Sequence, residues 1–100
     1  MYVVVNRCFG GYSLSEDFCK NYGHYENRTN KEFIRELCEY GFKKASGGFA
    51  DIAIAEISDD ISDYEIIDYD GIESIIYVTN GKISHDVKYI KNEQDVVLSE

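Results

Sequence analysis

The chain has 100 residues, of which 44% are hydrophobic, 29% charged and 14% aromatic, and this composition indicates one folded domain over residues 1–100 rather than a disordered segment. Nineteen acidic residues against ten basic ones give a formal net charge of −9, which disfavours direct binding to nucleic acid or to anionic membranes. The apolar residues 2–5 are too few for a signal peptide or a membrane span, and no motif predicts a cofactor.

The first two elements follow from apolar patterning and a capping motif. The β-branched residues 2–5 predict a buried strand, which ends before the glycine pair at residues 10–11. Ser13 and Glu16 have the spacing of a capping box, in which each side chain bonds to the other residue's backbone N–H. A helix is therefore expected over about residues 14–22.

The middle of the chain changes from a helical period to a period of two. A second capping box at residues 29–32 predicts a helix that continues through Gly41 to Ala45, with an end at Gly41 as the alternative. Residues 51–57 are apolar on both faces, which predicts a central strand. Residues 64–69 are more polar and predict a strand nearer the edge of the sheet.

A hairpin is the clearest local signal. Asn80-Gly81 supplies the two positive φ angles of a type I′ turn, and a two-residue turn fixes the register of its strands. The predicted pairs are Thr79 with Lys82, Val78 with Ile83, Ile76 with His85, and Glu73 with Lys88. After a charged segment, residues 96–98 are apolar, so the tail either docks as a short strand or stays loose.

The order β-α-α-β-β-β predicts an α+β domain. Two helices should cover one face of a mostly antiparallel sheet that ends in the Asn-Gly hairpin. The other face of the sheet should then carry many of the carboxylates.

The acidic residues are concentrated in one stretch of the sequence. Residues 45–81 contain nine Asp or Glu and no Lys or Arg, whereas the other ten acids are balanced by ten bases. Tyrosines, which are favoured in protein interfaces, lie between these carboxylates. The stretch predicts a surface that binds a basic protein; the alternatives are a solvated face and a face covered by a second copy of the chain. The predicted partner-binding residues are Asp59, Asp60, Asp63, Tyr64, Glu65, Asp68, Tyr69 and Asp70.

Two other hypotheses concern the junction after the first strand. Arg7, Gly10, Gly11 and Ser13 join a strand end to a helix start, where free amides can bind the anion of a nucleotide or phosphorylated metabolite. Cys8 would be a nucleophile if His24 or His85 served as its base, although a small packed side chain is the more ordinary role. The three cysteines match neither a disulfide framework nor a CxxC metal site, and no metal ligands are predicted.

Two strings carry a resemblance to a known group of proteins. VVNRCFGGYSLS at residues 4–15 and YDGIE at residues 69–73 resemble strings in short proteins encoded by bacteriophages and prophages. No activity is assigned to that group, so the resemblance implies no functional residues. It implies a phage accessory protein in the cytoplasm of a bacterial host, where the basic partner would be a host or defence factor.

Overall fold

The computed structural model of the protein describes residues 1–61 and 63–98, with the side chains of all of these except Tyr25 and Glu26. Within these residues the order begins β-α-α and continues with antiparallel strands, which confirms the predicted α+β class. The elements are β1 (Tyr2–Asn6), α1 (Glu16–Tyr22), α2 (Lys31–Tyr40), α3 (Phe42–Ala45), β2 (Ile52–Glu56), β3 (Tyr64–Tyr69), β4 (Ile72–Thr79), β5 (Lys82–Ser84) and β6 (Lys88–Ile90), with 3-10 turns at Tyr25–Thr29 and Glu93–Asp95.

The described strands form two three-stranded sheets, where one sheet was expected. In the first sheet β2 lies between β1 and β6, and in the second sheet β4 lies between β3 and β5. The chain turns away from the second sheet after β5, because the Ser84 hydroxyl accepts from the Asp86 N–H and the Tyr77 hydroxyl donates to the Asp86 carbonyl. β6 is thereby directed to β2 in the first sheet.

The molecule has three layers, with the first sheet in the middle. Strand alternation points Val4 and Ile54 toward the helices, and Val3 and Ala55 toward the second sheet. The prediction that the strand near residues 51–57 is central and apolar on both faces is confirmed. The core on the helix side is built from Val4, Leu14, Phe18, Phe33, Ile34, Leu37, Phe42, Ala45, Ile52, Ile54 and Ile90. The smaller core between the sheets contains Val3, Val5, Ala55, Ile57 and Ile75.

The helix ends differ from three of the expectations. Asn30 rather than Thr29 is the N-cap of α2, and its side chain accepts from the Glu32 and Phe33 N–H groups, so the predicted capping box at residues 29–32 is wrong. α1 begins at Glu16 with Ser15 at the N-cap and no side-chain cap bond, so the predicted Ser13 capping box is wrong. Gly41 has a φ of +101° and ends α2, so the continuous helix is wrong and the alternative end at Gly41 is correct. Among the described residues, no helix has the length and apolar character needed to cross a membrane.

The hairpins of the second sheet both use two-residue turns. Asn80 and Gly81 have φ angles of 52° and 77°, and Asp70 and Gly71 have φ angles of 52° and 91°, as type I′ turns require. The predicted pairs of Thr79 with Lys82 and of Val78 with Ile83 are confirmed, whereas Glu73 does not pair with Lys88, nor Ile76 with His85. Lys88 instead lies opposite Glu56.

Candidate functional site

A buried ion pair closes the open edge of β1. This strand pairs with β2 on one side only, so the Val4 carbonyl and the Asn6 N–H point away from the sheet. Arg28 donates to the Val4 carbonyl at 2.9 Å, and the Glu73 carboxylate accepts from the Asn6 N–H at 2.8 Å. Arg28 and Glu73 also bond to each other at 2.7 and 2.9 Å, with side chains 9% and 7% exposed. The pair thus supplies the donor and acceptor that a neighbouring strand would supply.

The open edge of β4 is closed in a similar way beyond the short β5. The Arg7 guanidinium donates to the Glu73 carbonyl at 2.7 Å and to the Ser74 hydroxyl at 2.9 Å. Arg7 also lies 3.9 Å from the centre of the Tyr89 ring, and the Tyr89 hydroxyl accepts from the Ile75 N–H. These contacts join the two sheets and fix Arg7 against protein groups.

The two strings that carried the resemblance meet at one packed corner. Gly71 has a φ of +91°, and a Cβ added to it would lie 2.3 Å from the Gly11 nitrogen and 2.6 Å from the Gly10 nitrogen. The Asn6 amide donates to the Gly71 carbonyl at 2.7 Å. Because the corner has no room for a Cβ at residue 71, the glycine of the YDGIE string is required by packing.

Tyr12 covers the buried ion pair. The Arg28 guanidinium lies 3.5 Å from the centre of its ring. The Tyr12 hydroxyl is buried and has no hydrogen-bond partner among the described residues. Burial raises the pKa of Tyr12 to about 12, and the nearby Arg28 charge offsets part of that rise. The phenol therefore stays neutral over the ordinary range of pH.

The predicted anion-binding junction is largely occupied by protein contacts. Arg7 bonds to β4, and the nitrogens of Gly10 and Gly11 lie against Gly71. The Ser13 carbonyl accepts from the Gly47 N–H. The ligand hypothesis for this junction stays a prediction.

The acidic stretch does not form a single surface. Glu73 is buried against Arg28, which corrects the expectation that the carboxylates of the acidic stretch gather on one exposed surface. Asp59 is exposed but bonds to the N-terminal ammonium at 2.6 Å, and the Ser58 hydroxyl donates to Asp60. The hydrogen bond from Ser58 lowers the pKa of Asp60. Asp59 and Asp60 lie in the loop between β2 and β3, where the N-terminal ammonium compensates the charge of Asp59 and a hydroxyl binds Asp60.

The remaining predicted residues lie on or beside β3. Asp63, Glu65 and Asp70 are exposed, and Asp68 is exposed while its carboxylate accepts from the Gly71 N–H at 2.8 Å. Tyr64 is different, because it is half-buried against the core between the sheets. Tyr69 is 76% exposed. Lys82 is the one basic residue in 63–84, so this sheet keeps an excess of negative charge.

An apolar face that the acidic pattern did not reveal lies beside these carboxylates. Strand alternation and the register of β3, β4 and β5 put one set of side chains on the side of the second sheet that faces away from the first sheet. We call this set the outer face; its members are Glu65, Ile67, Tyr69, Ile72, Ser74, Ile76, Val78 and Ile83. Ile67, Val78 and Ile83 are 41%, 52% and 65% exposed. Apolar side chains grouped on one exposed face are typical of an interaction site.

The surface of the described residues includes a depression beside the outer face and a groove near the N-terminus. The depression is shallow, has a volume of about 170 Å³ and lies at one end of the outer face, between Glu65, Ile76, Val78 and Ile83. The groove is larger, at about 620 Å³, and is lined by both signs of charge, including Lys31 and Glu56. The depression adjoins the predicted partner-binding residues Asp63 and Glu65.

The remaining chemistry-bearing residues form no centre in the described part of the chain. Cys8, Cys19 and Cys38 are free thiols, and burial raises the pKa of Cys38. His24 and His85 are exposed. Within residues 1–61 and 63–98, no group of three or more His, Cys, Asp or Glu side chains is arranged to hold a metal ion.

The chain was also compared with known proteins. No protein-family model, curated protein or solved structure matches it.

Proposed function

We propose that the protein is a binding protein that docks a basic partner protein onto the outer face of its second sheet. The observation that supports this is the exposure of Ile67, Tyr69, Val78 and Ile83 on one sheet face. The solvated face of an antiparallel sheet ordinarily carries polar side chains, so apolar residues at these positions favour a surface that a partner covers.

The charges beside the outer face indicate the kind of partner. Asp63, Glu65, Asp68 and Asp70 are exposed, with Lys82 as the one nearby base in the sequence of this sheet. Such a field speeds the approach of a cationic surface and repels nucleic acid. The apolar residues would then supply the contact area, and Tyr69 offers a large rigid side chain with a hydroxyl.

The biological setting belongs to the same proposal. The resemblance to phage and prophage proteins favours a host or defence factor in the bacterial cytoplasm as the partner. Inhibition of that factor would follow if the outer face covers its basic site.

A comparison of the wild-type chain with two variants tests the proposal. The chain is used to capture proteins from a bacterial lysate, and cross-links locate the residues in contact. Replacement of Ile67, Val78 and Ile83 by threonine removes the apolar contact, and replacement of Asp63, Glu65 and Asp70 by lysine removes the attraction. Both variants should fail to capture the proteins that the wild-type chain captures. The cross-links formed by the wild-type chain should lie in β3 to β5.

A matched control carries the same change of charge elsewhere. Glu16, Asp17 and Glu39 are exposed acids on α1 and α2, and their replacement by lysine should leave capture intact. If the threonine variant folds and still captures the same proteins, the outer face is not the binding surface.

A further inference from the structure

The sheet edges of this protein differ in how they are covered. The edge of β1 is closed by Arg28 and Glu73, and the edge of β4 is closed by Arg7 and Tyr89. β5 and β6 have three residues each, which offer little edge to pair with. β3 has six residues and lies at the edge of the second sheet.

The register shows which backbone groups of β3 are available. Tyr69 and Ile72 flank the two-residue turn, so their backbones bond to each other, and the bonding alternates along the strand. The N–H and C=O groups of Ile66 and Asp68 therefore point away from β4. Among the described residues these backbone groups have no hydrogen-bond partner.

We propose that the partner protein binds as an added strand along the edge of β3. This inference rests on the proposed function and specifies its geometry: an extended segment pairs with the backbone of Ile66 and Asp68, and its side chains continue the outer face. Glu65 and Asp68 point to opposite faces of β3, so each face of the added strand meets a carboxylate. The segment is therefore rich in lysine or arginine, with an apolar residue beside Ile67.

The same charges argue against a second copy of the chain at this edge. Two β3 strands side by side would bring Asp63, Glu65, Asp68 and Asp70 of each copy together without a base between them. Like charges across neighbouring strands are destabilising, and acidic side chains on an edge strand discourage self-pairing. A cationic strand from another protein removes that repulsion.

Backbone methylation of a probe peptide tests the strand directly. The probe is a short peptide that carries lysine on both faces of its extended form and one valine at the position that would lie beside Ile67. In an extended peptide, neighbouring N–H groups point to opposite edges, so two N-methyl groups on one edge leave the other edge able to pair. One N-methyl group on each edge interferes with pairing at both.

The two methylated peptides carry the same number of methyl groups and differ in their expected affinity. The peptide methylated on one edge should bind within about threefold of the parent, whereas the peptide methylated on both edges should bind about tenfold more weakly or worse. Binding of the parent should slow amide hydrogen exchange at Ile66 and Asp68. The same peptide with glutamate in place of each lysine should not bind.

The outcomes separate strand addition from the broader proposal. If both methylated peptides bind equally and Ile66 and Asp68 stay unprotected, strand addition is overturned, although loss of binding in Ile83→Thr would still support the outer face. Absence of peptide binding, with lysate proteins still captured through the outer face, overturns strand addition in the same way. Protection of Ile66 and Asp68 in a concentration-dependent dimer would assign the edge to a second copy and overturn the inference.

Discussion

The edge of β1 and the outer face differ from the usual distribution of side chains, in which charged groups are exposed and apolar groups are buried. Beside β1 the charged side chains of Arg28 and Glu73 are buried, and each also bonds to the strand backbone. On the outer face Val78 and Ile83 are more than half exposed, although both are apolar. The difference teaches that this fold uses buried charge to close an edge from within, whereas it leaves apolar side chains exposed on its second sheet, where we propose that a partner binds.

The largest expected effect comes from splitting the buried ion pair. Arg28→Met or Glu73→Leu alone leaves the other charge buried without its partner, which should lower the free energy of unfolding by about 3 to 5 kcal/mol. The double variant leaves no stranded charge, and it should be more stable than either single variant. Urea unfolding measures all three. Single variants that cost less than about 1 kcal/mol would show that the pair is not what closes the edge of β1.

The next effect concerns the corner where Gly71 meets Gly10 and Gly11. Gly71→Ala adds a methyl group against two backbone nitrogens and strains a positive φ, so it should cost about 3 kcal/mol. Gly81→Ala is the matched control, because Gly81 has a φ of +77° but open space around its Cβ position. It should cost about 1 kcal/mol. Equal losses in urea unfolding would mean that packing at the corner contributes nothing.

A smaller effect is expected at Tyr12. Tyr12→Phe removes a buried hydroxyl without a partner and keeps the ring over Arg28, so stability at neutral pH should stay the same or rise by about 1 kcal/mol.

The same variant has a signature in alkali. The unfolded phenol ionises near pH 10.0 and the folded one near pH 12, so the folded state holds the proton longer. Because burial raises the pKa of Tyr12 from 10.0 to about 12, ionisation of the unfolded phenol leaves the free energy of unfolding unchanged below pH 10.0 and lowers it as the pH rises toward 12. Unfolding of the wild type and Tyr12→Phe across this range should therefore show a steeper decline for the wild type. Parallel curves would contradict the burial of this phenol.

The smallest effect on stability should come from the outer face. Val78→Thr and Ile83→Thr change exposed side chains, so each should alter the free energy of unfolding by less than about 0.5 kcal/mol. Ile75 lies on the opposite face of β4 and is fully buried, so Ile75→Thr should cost at least about 2 kcal/mol. A large loss at Ile83 would indicate that it supports the fold rather than binding.

Local signals in the sequence predicted the local parts of the fold. Asn80-Gly81 predicted the turn and the first two pairs of its hairpin, and the start of α2 was predicted to within one residue, although Asn30 rather than Thr29 caps it. The division into two sheets could not be predicted, because it depends on Asp86 bonding to Tyr77 and Ser84 and on Lys88 finding Glu56. Those contacts join segments whose sequences carry no common pattern.

The site was predictable in part for the same reason. The hairpin register already placed Ile76, Val78 and Ile83 on one face, but nothing local showed that this face would be left uncovered. Arg28 lies in a polar segment without periodicity, and its partner Glu73 is 45 residues away. The acidic count therefore included a carboxylate that the structure buries.

Hydrogen exchange on the chain, alone and bound to a protein it captures, tests the central claim most directly. The account predicts slower exchange in the second sheet on binding, greatest at Ile66 and Asp68 in β3, and unchanged exchange in α2. Protection confined to the helices, with none in β3 to β5, would contradict the assignment of the outer face as the binding surface.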